Sequence, residues 1–126
     1  MARFLSCECG NLVAELNEGK GKITCCDKPM EEALIHKSDE SGHEKHTPLV
    51  HEEDGKVYVK VGESLHPMDE NHYIDWVYLL TDKGSQRKHL HPGNKPEVIF
   101  LIDEDEVVLE VVAHCSQHGL WSADLD

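Results

Sequence analysis

From residue 46 onward, apolar positions recur at every second residue. Val57, Val59 and Val61 alternate with polar neighbours and stop at Gly62. In the next such segment Ile74, Trp76, Tyr78 and Leu80 share one face, with Val77 and Leu79 on the other. A strand apolar on both faces belongs inside a sheet rather than at its edge. Shorter candidates follow at 86–90, 98–102 and 107–113, separated by turn signals at 82–84, 91–94 and 103–105. Short strands at this spacing predict an all-β fold, an immunoglobulin-like antiparallel β-sandwich. No long segment carries helical periodicity, and there is no internal repeat.

The first stretch of the chain reads differently. Residues 1–36 hold Cys7, Cys9, Cys25 and Cys26 around an apolar run at 11–16 and a Gly/Lys turn at 19–22. This predicts a hairpin with a cysteine pair at each end. So small a unit buries too little apolar surface to fold unaided and calls for metal, disulfides or oligomerisation. Residues 37–45 are polar and contain glycine, as a linker would. The predicted organisation is a cysteine-rich domain at 1–36, a linker at 37–45 and a β-sandwich at 46–126.

Charge then narrows the partners. Lys and Arg total 12 against 25 Asp and Glu, a formal net charge of −13. Nucleic acid and anionic membranes both require clustered cations, so neither is expected as a partner. No apolar run is long enough to cross a bilayer, and the N-terminus lacks the apolar region of a signal peptide, so a cytoplasmic protein is expected. Five cysteines and ten histidines are the unusual part of the composition. In a reducing compartment, clustered Cys and His point to metal more often than to disulfides.

Three segments carry candidate ligands. Cys115 and His118 lie three residues apart at the end of a predicted strand. His66 and His72 share a loop that Pro67 keeps from being a strand. Glu44, Lys45 and His46 stand where the linker meets the sandwich. Taken singly, each has a bland reading: a buried thiol with a solvated imidazole, two loop histidines, a charged turn. Together they supply four imidazoles and one thiolate, more than the four tetrahedral ligands that close a structural zinc site. That donor set suits iron in a five- or six-coordinate geometry, and an open position on such an iron is a reaction site. His36, His43, His51, His89, His91 and His114 form no comparable pattern.

The runs Glu44-Lys45-His46-Thr47-Pro48, His66 through Trp76, and Cys115-Ser116-Gln117-His118-Gly119 together resemble the superoxide reductase family. The cysteine-rich N-terminus resembles its two-domain desulfoferrodoxin branch, and the resemblance covers essentially the whole chain. It implies a small desulforedoxin-like domain ahead of the sandwich. It further implies an iron with His46, His66, His72 and His118 in a plane and Cys115 axial, open on the opposite side when ferrous. The implied activity is one-electron reduction of superoxide to hydrogen peroxide, with Lys45 drawing in the anion and Glu44 taking the open position in the oxidised form. The implied electron donor is rubredoxin-like, and a homodimer is expected.

Cys7, Cys9, Cys25 and Cys26 resemble the family's second iron centre, a tetrahedral site of four thiolates, which implies a second iron, or zinc, here. Here the sequence departs from the family's spacing, since only Glu8 separates the first pair. Two other functions fit the same residues: a non-catalytic iron electron-transfer protein and a zinc-stabilised binding module. Metal content and superoxide consumption separate them.

Overall fold

The computed structural model describes residues 3–125. It divides into two compact units, one running to Leu34 and the other starting at Ile35.

The first unit is built from very short strands: β1 (Phe4–Ser6), β2 (Leu12–Ala14), β3 (Thr24–Cys25), β4 (Lys28–Pro29) and β5 (Glu31–Glu32). β1 lies between β2 and β5, antiparallel to both, and β3 pairs with β4 as a separate ribbon. The cysteines therefore sit on two hairpins rather than at the ends of one. Cys7 and Cys9 occupy the β1–β2 turn, while Cys25 ends β3 and Cys26 begins the β3–β4 turn. Cys26 and Asp27 both have positive φ, 52° and 61°, as a two-residue hairpin turn requires. Phe4 and Leu5 are buried, whereas Leu16 and Ile23 are exposed. So thin a core agrees with a unit that depends on its cysteines.

The second unit opens with β6 (Ile35–His36) and a single helical turn, α1 (His43–His46). Then come β7 (Pro48–Glu53), β8 (Lys56–Val61), β9 (Ile74–Thr81), β10 (Gly84–His89), β11 (Glu97–Leu101), β12 (Val108–Cys115) and β13 (Gly119–Ser122). A five-stranded sheet, β10-β9-β12-β13-β6, is accompanied by a three-stranded one, β11-β8-β7. Only the β13–β6 pairing is parallel among those described. Val57, Val59, Val61 and Phe100 from the smaller sheet share one core with Val77, Leu79, Val111 and Ala113 from the larger. β9 is internal, between β10 and β12, in keeping with its apolar residues on both faces.

Alternation breaks at the start of β9. Strict period two puts Ile74 with Trp76, yet Ile74 is fully buried in the core with Val77 and Leu79. Ile74 pairs with Cys115 and Trp76 with His114, so Asp75 is the extra residue of a β-bulge. The bulge turns Ile74 inward beside Cys115, which faces the core by the alternation Val111, Ala113, Cys115, while His114 stays on the other face. Three further strands, β6, β7 and β13, lie where no strand was expected. The β7–β8 hairpin is closed by Asp54 and Gly55, with φ of 51° and 75°.

Candidate metal centre

His46 ends the helical turn α1, whose last bond runs from the Thr47 N–H to the His43 carbonyl at 2.9 Å. The end of β8 packs directly behind it. Gly62 has φ of 90°, and a Cβ there would stand 2.6 Å from the Lys45 carbonyl oxygen and 2.5 Å from that of Ser64. Only glycine permits this approach. The Gly62 N–H also donates to the Thr47 carbonyl at 3.1 Å, which ties the helical turn to the sandwich.

His66 and His72 stand on the loop between β8 and β9. Asp69 and His72 exchange main-chain hydrogen bonds, each 3.0 Å, so the loop turns sharply between the two histidines. Met68 packs against the core, and its carbonyl accepts the Gly93 N–H at 3.0 Å. Cys115 ends β12, and the turn to β13 carries His118, with Gly119 at φ of 78°. Ser116 and Tyr73 pin that turn to the end of the histidine loop. The Ser116 N–H donates to the Tyr73 carbonyl at 2.9 Å, and the Tyr73 N–H to Ser116 Oγ at 3.1 Å.

These three segments converge. The ligand atoms of His46, His66, His72 and Cys115 lie within 4.8 Å of one another. Donors held about 2.0–2.3 Å from one ion are at most about 4.6 Å apart, so the spacing suits one metal. Cys115 Sγ is 3.3 Å from His66 Nε2. His118 joins through Nδ1, which is 3.1 Å from His46 Nε2 and 3.7 Å from Cys115 Sγ. Neighbouring rings meet edge-on, His66 against His72 at 81° and His72 against His118 at 75°.

Carbonyl groups decide which nitrogens face inward. His46 Nδ1 donates to the Gly42 carbonyl at 2.8 Å, and His66 Nδ1 to the Pro67 carbonyl at 2.7 Å. A carbonyl only accepts, so both protons reside on Nδ1 and both Nε2 lone pairs point into the cluster. Burial holds both imidazoles below the usual histidine range, His66 at about 4, and so keeps them neutral. Burial pushes the Cys115 thiol up, so it keeps its proton until a bound cation displaces it. His72 Nε2 is buried with no hydrogen-bond partner among the described residues. A buried polar atom left without a partner is costly, and a metal at the centre of the cluster supplies one. The residues present fit such an ion.

Lys45 and Glu44 lie exposed on α1, beside His46. One Glu44 carboxylate oxygen is 3.5 Å from His43 Nδ1.

The N-terminal thiols form a second cluster, with all four Sγ atoms within 4.8 Å of one another. Cys9 Sγ is 3.3 Å from Cys7 Sγ and 3.4 Å from Cys25 Sγ, and none of these cysteines is in a disulfide. The main-chain N–H of Asn11 and then the neighbouring thiols hold Cys9 down at about 7, a poised thiolate. Asn11 Nδ2 donates to Cys25 Sγ at 3.4 Å. With only Glu8 between them, Cys7 and Cys9 still meet the second pair.

Two neighbours of the main cluster escape a reading of the sequence. Trp121 lies against His46. Asp75, at the bulge, binds His114 Nδ1 at 2.6 Å, and His114 stacks on Trp76 at 7°. The only local signal is an aromatic residue two positions after Gly119, and nothing in the letters of Asp75 announces a bulge.

Comparison with known proteins agrees with this geometry. Residues 38–124 match the family described as desulfoferrodoxin, and residues 5–33 the family described as desulfoferrodoxin, N-terminal domain. A desulfoferrodoxin homolog of Archaeoglobus fulgidus is 43% identical over 115 residues, covering 91% of this chain and 90% of its own. The superoxide reductase of Treponema pallidum superposes with a TM-score of 0.79 at 34% identity, covering 98% of this chain and 97% of its own. The superoxide reductase of Giardia intestinalis matches 63% of this chain and 94% of its own at 29% identity, with a TM-score of 0.53.

Proposed function

Because the chain belongs to the desulfoferrodoxin family, we propose that it is a superoxide reductase whose iron is held by His46, His66, His72, His118 and Cys115. The reaction takes one electron and two protons per superoxide and releases hydrogen peroxide. What carries this reading is the convergence of four imidazoles and one thiol from three separate segments on one point, with His46, His66 and Cys115 buried.

Iron held there supplies the electron that superoxide accepts. The remaining work belongs to the protein. The Gly42 and Pro67 carbonyls aim two lone pairs at the ion. Burial keeps the His46 and His66 imidazoles neutral and limits water around them. Cys115, once deprotonated, adds negative charge and electron density to the centre, as thiolates do for haem iron. A chain of net charge −13 repels an anion at long range, so a local cation is needed. Lys45, exposed beside His46, is that cation and orders a proton-donating water. Glu44, exposed on the same turn, would supply a carboxylate to the centre once its iron is oxidised.

The four-thiolate cluster takes a second iron, or zinc, and with iron stores or relays an electron. Its exposed Cys9 and Cys26 suit exchange with a small redox protein of rubredoxin type. That exposure also favours a second reading, a non-catalytic iron electron-transfer protein. The protein works in the cytoplasm as a homodimer, which gives the thin N-terminal unit covering surface. Among the described residues no helix is long and apolar enough to cross a membrane.

The deciding experiment adds superoxide to the iron-loaded protein with a reductant present. A reductase yields one peroxide per superoxide and no oxygen. Oxygen evolution indicates dismutation, and an unchanged decay rate indicates a carrier.

A further inference from the structure

His46 is the last residue of a helical turn only four residues long. A turn that short has little rigidity of its own. The Gly42 carbonyl fixes one nitrogen of the ring, but a single bond leaves the ring free to tilt about it. Something else must set the imidazole plane.

Trp121 is the group in place to do so. Its ring stacks on His46 at 4.7 Å between centroids and 17° between planes. Its indole N–H donates to the carbonyl of His118 at 3.1 Å. Trp121 is 4% exposed and lies on β13, paired with Ala113 on one side and His36 on the other. His36 backs the indole at 4.6 Å, and the Glu40 carboxylate holds His36 Nδ1 at 2.8 Å. The other Glu40 oxygen accepts the Lys37 N–H at 2.7 Å. Gly42 leaves space at this junction, since a Cβ there would be 3.6 Å from His46 Nδ1 and 3.9 Å from the Trp121 ring.

We propose that Trp121 is a positioning residue for two ligands at once, setting the plane of the His46 imidazole through its face and the main chain of His118 through its N–H. The inference rests on the reading of the iron centre above. His46 and His118 are far apart in the chain, yet their inward nitrogens are 3.1 Å apart. One rigid side chain that touches both fixes that spacing. A residue present only to fill the core requires neither near-parallel stacking on a ligand nor a hydrogen bond to the carbonyl of another. The indole face also carries partial negative charge, which favours an imidazole that donates to a cation. Loss of groups that orient metal ligands typically weakens metal binding about 10- to 100-fold.

The test uses the full chain carrying Cys9→Ser and Cys26→Ser, so that ferrous iron binds at the histidine and cysteine centre alone. Into it go Trp121→Leu, Trp121→Phe and, as a control, Trp76→Phe, whose ring stacks on His114 rather than on a ligand. Iron affinity is read by chelator competition, and geometry by the visible and paramagnetic-resonance spectra of the ferric form. Trp121→Leu is expected to bind iron about 10- to 100-fold more weakly with altered spectra. Trp121→Phe keeps the face, so it holds affinity near the parent value while its spectra shift through loss of the N–H. Trp76→Phe matches the parent in both. A folded Trp121→Leu protein with parental affinity and spectra overturns the proposal. If that variant does not fold, parental spectra in Trp121→Phe overturn it. A parent that binds no iron defeats the iron centre itself, whereas an iron-binding parent with indifferent Trp121 variants defeats only the role of Trp121.

Discussion

Cys115 Sγ stands 3.3 Å from His66 Nε2, a contact between residues 49 positions apart. Alternation along β12 makes it: Val111, Ala113 and Cys115 all face the core, and His114 lies on the opposite face. The bulge at Asp75 acts on β9, so that Ile74 pairs with Cys115 on the same inner face. The thiol is therefore buried, aimed at the imidazoles, and replaceable by no neighbour.

Cys115→Ser is expected to remove the thiolate-to-iron absorption band and lower superoxide reductase activity at least about 100-fold. The visible spectrum of the ferric protein and a superoxide-decay assay check this. An intact band would mean that another sulfur reaches the iron.

Lys45→Ala is expected to slow the reaction with superoxide roughly tenfold at low salt. The dependence on ionic strength should change with it, because the variant lacks the local cation that attracts the anion. Pulse-radiolysis rates across a salt series measure both. Lys45→Arg keeps the charge and should lose much less.

Gly62→Ala is expected to destabilise the protein by about 1–3 kcal/mol, since a residue with a side chain is strained at this φ. Its Cβ would also press on the Lys45 and Ser64 carbonyls. Urea unfolding checks the stability. The turn that gives way carries His46, so iron binding should weaken as well.

The metal-free protein is expected to lose stability as pH falls. Burial lowers His66 to about 4, against an ordinary value of 6.5. Between those values the unfolded chain takes up a proton that the folded form refuses. The contribution is thus present in full above about 6.5 and is lost progressively toward 4. His46 is shifted in the same direction for the same reason. Urea midpoints from pH 7.5 to 4.5 check the slope, which should flatten in His66→Leu.

The chemistry was legible in the letters because it depends on residue types with few bland uses in that combination. His46, His66, His72, Cys115 and His118 come from three segments that the structure brings together. The sandwich was legible where period two is strong, as in β8 and β9. It was hidden in β7, whose outward positions Leu49, His51 and Glu53 show no consistent polarity. Ile74 was assigned to the wrong face because a bulge is a property of two paired strands, and one strand read alone does not contain it. Trp121 reads from sequence as core, and only its stacking on His46 distinguishes it. The single predicted N-terminal hairpin became two, since a turn at Cys26 and Asp27 starts at the second member of the second cysteine pair.

The most direct test of the central claim is iron X-ray absorption on the full chain carrying Cys9→Ser and Cys26→Ser, loaded with one iron. The account predicts a first shell of one sulfur and four imidazole nitrogens, with the sulfur lost in a further Cys115→Ser variant. A shell without sulfur, or one unaffected by that last change, would contradict it.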